Sequence, residues 1–135
     1  MQTSAKIGLE IHGYIQTKEK LFCNCKAEHG LKFFKPNINI CPICTGQPGC
    51  KPMLPNSEAV RKIIQIALVL GCNINQKLAF QRKHYDWPDL PKGFQNTISG
   101  AYAIPVGVNG KFEGIRITEV HLEEDPAAWN PQTGE

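Results

Sequence analysis

The sequence predicts an α+β fold in which antiparallel strands pack with one helix and a cysteine-rich excursion is stapled by metal. Three observations predict it. Apolar residues alternate over 7–15 and again in shorter stretches towards the C-terminal end, as half-buried strands require. A single helical stripe runs over 60–68. Between the first strand and the helix, four cysteines stand in two close pairs, the ligand number that closes a tetrahedral zinc site. A chain of 135 residues is long enough for one domain, residues 1–135, with a real core.

In Ile7-Gly8-Leu9-Glu10-Ile11-His12-Gly13-Tyr14-Ile15 the odd positions Ile7, Leu9, Ile11 and Ile15 are expected to face the core. Glu10 and His12 then project from the opposite face, about 7 Å apart at Cα by the rise of a strand. Lys18 to Pro55 is rich in Cys, Pro, Asn and Gly without a sustained period. Such a stretch needs a staple, which Cys23-x-Cys25 and Cys41-x-x-Cys44 supply as a zinc knuckle at about 18–55. Pro42 and Gly46 let the backbone turn sharply around the ion. A closed shell of four sulfurs leaves no position for substrate water, so the ion is structural. The alternatives are ordinary thiols or two disulfides. Cys50 and Cys72 read as small hydrophobes.

Asn56 or Ser57 caps a helix whose stripe is Val60, Ile63, Ile64, Ala67 and Leu68, with Gly71 just past its end. A strand is expected over Gln76 to Tyr85. Trp87-Pro88-Asp89-Leu90-Pro91-Lys92-Gly93 is a rigid loop, because two prolines exclude a helix or a continuous ladder. Tyr102 to Val108 is a strand, with Asn109-Gly110 as the hairpin turn into Lys111 to Glu113. In the last strand the apolar phase slips between Ile117 and Val120, which predicts a bulge near Thr118-Glu119 and turns His121 and Glu123 away from the core. Asp125-Pro126 ends the strand, and Trp129 to Glu135 reads as loop.

The net charge of +3 permits nucleic-acid contact without demanding it, and Arg82, Lys83 and Lys92 read as scattered surface. No apolar run is long enough to cross a bilayer. The first residues precede no apolar h-region, so a secretory signal is not expected, and paired cysteines in the cytosol mean metal more often than disulfide. There is no Walker loop, no Gly-x-Gly-x-x-Gly and no Gly-x-Ser-x-Gly elbow. Glu10 and His12, with His121, Glu123, Glu124 and Asp125, form a potential cluster for Mg²⁺ or Mn²⁺, although such residues are more often a solvated face. Arg82 and Lys83 read either as surface charge or as a grip on phosphate.

Five blocks occur in order: Ile7-Gly8-Leu9-Glu10-Ile11-His12; Pro36-Asn37-Ile38-Asn39 before Cys41-Pro42; Arg82-Lys83-His84-Tyr85; Pro88-Asp89-Leu90-Pro91-Lys92-Gly93-Phe94-Gln95; and His121-Leu122-Glu123-Glu124-Asp125. Together they resemble the N-terminal part of the B-type subunits in the aspartyl/glutamyl-tRNA(Asn/Gln) amidotransferase family, over about Lys6 to Asp125. The resemblance implies part of a catalytic cradle domain similar in fold to glutamine synthetase and guanidino kinases. It also implies a ligase of the cytoplasm that forms a carbon–nitrogen bond. Such an enzyme uses ATP and Mg²⁺ to phosphorylate the side-chain carboxyl of misacylated Glu-tRNA(Gln) or Asp-tRNA(Asn). Ammonia released from glutamine then displaces the phosphate.

By that resemblance Glu10, His12, Glu123 and Glu124 are the catalytic residues, with Glu10, His12 and Glu124 as the Mg²⁺ ligands. Arg82 and Lys83 bind ATP, and Cys23, Cys25, Cys41 and Cys44 hold structural zinc. The implied partners are the A-type amidase subunit, the small C-type subunit and misacylated tRNA, with no membrane. Family members continue past the acidic motif through the rest of the cradle, a helical domain and a tail domain. This piece is therefore not expected to amidate alone. A non-enzymatic, zinc-stabilised module that binds tRNA or a partner is the alternative, and a purely structural zinc domain a third reading.

The chain departs from the usual family pattern in three places. His84-Tyr85-Asp86-Trp87 stands where many bacterial members read Asn-Tyr-Phe-Tyr. Gln95-Asn96-Thr97-Ile98 replaces the usual Gln-Ile-Ser/Thr-Gln. Glu119 stands where an arginine is expected.

Overall fold

The computed structural model describes residues 3–28, 35–127, 129 and 131–134. Among the described residues helix α1 is Ser57–Val69, and five strands follow it: β1 Asn73–Ile74, β2 Gln81–His84, β3 Phe94–Thr97, β4 Gly107–Phe112 and β5 Ile115–Val120. They form a three-stranded sheet in the order β1-β4-β5 and a two-stranded ribbon β2-β3, with every ladder antiparallel. The α+β class expected from the sequence holds.

Helix α1 starts where its cap predicts. Asn56 Oδ1 accepts from the backbone N–H of Glu58 and Ala59, filling two of the donors that a helix start leaves open. Gly71, with φ of 69°, follows the C-cap Leu70, and its N–H reaches the Leu68 carbonyl. The buried stripe is Ala59, Ile63 and Ala67, whereas Leu68, expected inside, is 58% exposed. Close approach of β4 requires a small side chain at Ala67. A Cβ on Gly107 would stand 2.8 Å from Cys72 Cβ and 3.0 Å from Ala67 Cβ. The core closes with Cys72, Ile98, Val106, Val120 and Leu122. Of the two cysteines read as small hydrophobes, Cys72 is buried and Cys50 is exposed.

The hairpin lies further along than Asn109-Gly110. Strand β4 runs on to Phe112, and the turn is Glu113-Gly114, with φ of 47° and 78°. A two-residue turn of this hand needs positive φ at both central residues, and Gly110 does not supply it. Gly110 answers a packing need instead, since a Cβ there would meet Cys72 Sγ and the Leu70 carbonyl at 2.5 Å each.

The predicted bulge at Thr118-Glu119 is absent. Register is unbroken from Gly107↔Val120 to Phe112↔Ile115. Asn109, whose φ is 55°, and Thr118 opposite it are left out of the pairing without a shift of register. The strand expected over 7–15 does not form either. Ile7, Leu9 and Ile11 are 83–91% exposed, and only Ile15 packs against the core. The alternation is present, but a strand needs a ladder partner, and no described strand pairs with this segment.

Between 17 and 56 the excursion is tied at both ends. Glu19 bridges Lys26 in a tight reversal, closed by N–H of Lys20 to the Cys25 carbonyl (3.0 Å) and of Ala27 to the Lys18 carbonyl (2.9 Å). Met53 and Asn56 return to the carbonyls of Phe22 and Leu21 at 3.0 and 2.8 Å. Phe22 packs edge-on against Phe80, with centroids 5.0 Å apart. Of the predicted excursion, 29–34 lie outside the described residues, as do Asn130 and Glu135 of the predicted tail.

Candidate metal knuckle and carboxylate site

Two local turns bring the cysteine pairs together. Cys23 and Cys25 sit at the tip of the reversal over 18–27, and Cys41 and Cys44 in a turn closed by Thr45 N–H to the Cys41 carbonyl at 3.1 Å. The sulfurs of all four lie within 4.8 Å of one another, and none is in a disulfide. A zinc–sulfur bond of about 2.3 Å implies a tetrahedral edge of roughly 3.8 Å, so this spacing and donor set fit zinc. Donors also aim at sulfur. Cys41 N–H lies 3.2 Å from Cys44 Sγ, and Lys20 Nζ lies 3.6 Å from the same sulfur while donating to the Asn39 carbonyl at 2.6 Å. Hydrogen bonds from the Cys44 and Ile43 backbone pull the Cys41 thiol down to about 7, whereas burial pushes Cys23 up to about 12. Without a cation, four sulfurs this close cannot all ionise, and a divalent ion removes that conflict.

The second site lies where the chain after β5 crosses the end of β3. Glu123 pairs with Thr97 through an isolated bridge and accepts from its hydroxyl. Glu124 is held on every side. Its Oε1 meets Lys92 Nζ at 2.5 Å and its Oε2 accepts from Asn96 N–H at 2.7 Å. Its carbonyl accepts from Gln95 Nε2 at 2.6 Å, and its own N–H donates to the Asn96 carbonyl at 3.0 Å. The Lys92 and Glu124 side chains are 9% and 15% exposed, a nearly buried ion pair. Asp89 Oδ1 nearby is buried without a partner, and burial, then the charges of Asp89 and Glu123, raises the Tyr85 hydroxyl above its ordinary pKa.

Arg82 and Lys83 stand exposed on β2. The Arg82 guanidinium lies 4.3 Å from the Phe94 centroid, and Lys92 Nζ lies 4.9 Å from that centroid. Both cations favour the electron-rich ring. His121, expected beside Glu123, turns instead to Glu119, with Nε2 2.5 Å from its carboxylate.

Glu10 and His12 meet each other at 3.4 Å, both largely exposed on the segment before the excursion. The structure does not bring them into one coordination sphere with Glu124. Among the described residues, the four cysteines form the one group of three or more such side chains close enough to share an ion. Lys92, Asn96 and Thr97 are the members that sequence reading passed over. Their signal was the Pro88-Asp89-Leu90-Pro91-Lys92-Gly93 block, whose rigid loop delivers the lysine.

The fold and these sites define an α+β domain with a candidate metal knuckle and a carboxylate cluster at the end of a ribbon. The chain belongs to the GatB/GatE catalytic domain family, whose model matches residues 5–134. It is 53% identical over 131 residues to a Methanocaldococcus jannaschii protein named as the B subunit of an aspartyl/glutamyl-tRNA(Asn/Gln) amidotransferase, covering 96% of this chain and 26% of that protein. Proteins of the same name from Methanopyrus kandleri and Methanococcus maripaludis strain C5 are 48% and 50% identical, with 27% of each covered. The chain therefore spans 26–27% of the length of these curated relatives. Among the described residues no helix is long and apolar enough to cross a membrane.

Proposed function

We propose that this chain is the N-terminal part of the catalytic cradle domain of a glutamine-dependent aspartyl/glutamyl-tRNA amidotransferase, stapled by zinc at Cys23, Cys25, Cys41 and Cys44. The cradle is of the glutamine synthetase and guanidino kinase type. The reaction is ATP-dependent phosphorylation of the side-chain carboxyl of Glu-tRNA(Gln) or Asp-tRNA(Asn), followed by amidation with ammonia from a partner amidase. The A-type amidase, the small C-type subunit and the misacylated tRNA are its partners in the cytoplasm. The reading rests above all on one observation: identity near 50% across almost the whole chain with proteins that bear this name.

Arg82 and Lys83 are exposed donors on β2 and suit a triphosphate. Glu123 and Glu124 supply carboxylates at the end of β3, with Lys92 balancing the charge of Glu124. Mg²⁺, held by Glu10, His12 and Glu124, would screen the phosphate charge. That set requires the 7–15 segment to be drawn to the end of β3. The described geometry does not join the three residues. A non-enzymatic module that binds tRNA or a partner is the second reading, favoured by the exposed Ile7, Leu9 and Ile11.

Calorimetry of the zinc-loaded chain separates the two. Saturable ATP binding that needs Mg²⁺ and is weakened about tenfold or more by Glu10→Ala is expected. Absence of ATP binding, with Glu10→Ala without effect, removes the kinase reading for this chain.

A further inference from the structure

The cysteine knuckle touches the 87–93 loop at a point with no spare room. Gly46, two residues beyond Cys44, has φ of 69°, and a Cβ built on it would stand 2.2 Å from Lys92 Cβ and 3.2 Å from Lys92 Cα. Those atoms lie in or next to the backbone, so the lysine cannot swing aside as a flexible tip would. The far end of the same side chain reaches Glu124 at 2.5 Å, nearly buried. Lys92 is therefore gripped at its root by the knuckle and at its ammonium by the carboxylate. The Gly46 position is set by the second cysteine turn, through its N–H to the Ile43 carbonyl at 3.1 Å. Whatever fixes Cys41 and Cys44 also fixes the surface on which Lys92 rests.

We propose that Gly46 is a positioning residue, seating the root of Lys92 so that the metal knuckle determines where this lysine meets Glu124. The coupling to metal rests on the zinc reading above, whereas the contact of Gly46 with Lys92 does not. On this view the knuckle both staples the excursion and places a cation of the carboxylate site.

Acetylation of the intact chain with acetic anhydride, read lysine by lysine by mass spectrometry, tests the contact. Gly46→Ala is expected to raise Lys92 labelling at least fivefold and leave exposed Lys111 unchanged. Gly49→Ala is the control. It carries the same kind of left-handed strain, at φ of 84°, with no atom within 4 Å of the added Cβ. Its Lys92 labelling should stay within twofold of wild type. Unchanged labelling in Gly46→Ala, or an equal rise in Gly49→Ala, overturns the proposal.

If Gly46→Ala does not fold, the lysine side provides the decision. Lys92→Met keeps the root and removes the charge, while Lys92→Gly removes the root. Zinc loss to a chelator should be at least fivefold faster for Lys92→Gly and within twofold of wild type for Lys92→Met. Equal rates for the two overturn the coupling. A chain that binds no zinc refutes the zinc reading and the metal coupling with it, and the comparison of Gly46→Ala with Gly49→Ala still decides the contact.

Discussion

Truncating Glu124 to alanine removes more than one bond. The carboxylate holds Lys92 Nζ at 2.5 Å and Asn96 N–H at 2.7 Å, in surroundings where Lys92 is 9% and Asn96 8% exposed. Without it a nearly buried ammonium and a buried N–H both lose their acceptor. Breaking a buried pair from one side costs about 3–5 kcal/mol, and an orphaned buried donor about 1–3 kcal/mol. Water entering the vacated space serves both groups, so the two do not add, and about 3–5 kcal/mol is expected in total. That is a large share of the roughly 5–15 kcal/mol of a typical domain. Urea titration followed by tryptophan fluorescence measures it, since Trp87 sits in the loop that carries Lys92. With an m-value of about 2 kcal/mol/M, the midpoint should fall by roughly 2 M. Lys92→Met combined with Glu124→Gln leaves no charge stranded and should be more stable than Glu124→Ala. A midpoint for Glu124→Ala within about 0.3 M of wild type, or a double variant no better than the single, would refute this reasoning.

Asn56→Ala removes the acceptor for two N–H groups at the start of α1 and should cost about 1 kcal/mol in the same titration, with Asn56→Asp close to neutral. Burial raises the Cys72 thiol above its ordinary pKa, so it should resist alkylation at pH 8 while exposed Cys50 reacts at once, as peptide mapping will read. The same shift carries a pH dependence. A thiol whose folded pKa is raised contributes stability that is full below the unfolded value near 9 and is lost as the pH climbs through the folded one. Cys72→Ala should flatten that alkaline loss in denaturation series between pH 8 and 10.

The helix was legible because its cap and its stop are local chemistry, Asn56 at one end and Gly71 at the other. Hydrophobicity alone marks a wide stripe that includes Leu68, while the buried strip is Ala59, Ile63 and Ala67, and the approach of Gly107 demands a small side chain at Ala67. Asn109-Gly110 carried a strong turn signal, but one glycine cannot both turn a hairpin and admit Cys72, and packing took it. Alternation over 7–15 reports which face would be buried, not whether a partner strand is present. Cysteine spacing marked the four thiols that two local turns bring within 4.8 Å of one another, since four soft ligands so arranged have few other uses. Lys92 looked like scattered surface charge, because burial of a lysine depends on a carboxylate 32 positions away, which no local pattern reveals.

The zinc reading of the four cysteines underlies both the proposed staple and the proposed placement of Lys92. Elemental analysis of the purified chain, paired with a native thiol count, tests it most directly. One zinc per chain is expected, with Cys23, Cys25, Cys41 and Cys44 unreactive until a chelator is added. A chain without stoichiometric zinc, whose four thiols react freely under native conditions, would contradict it.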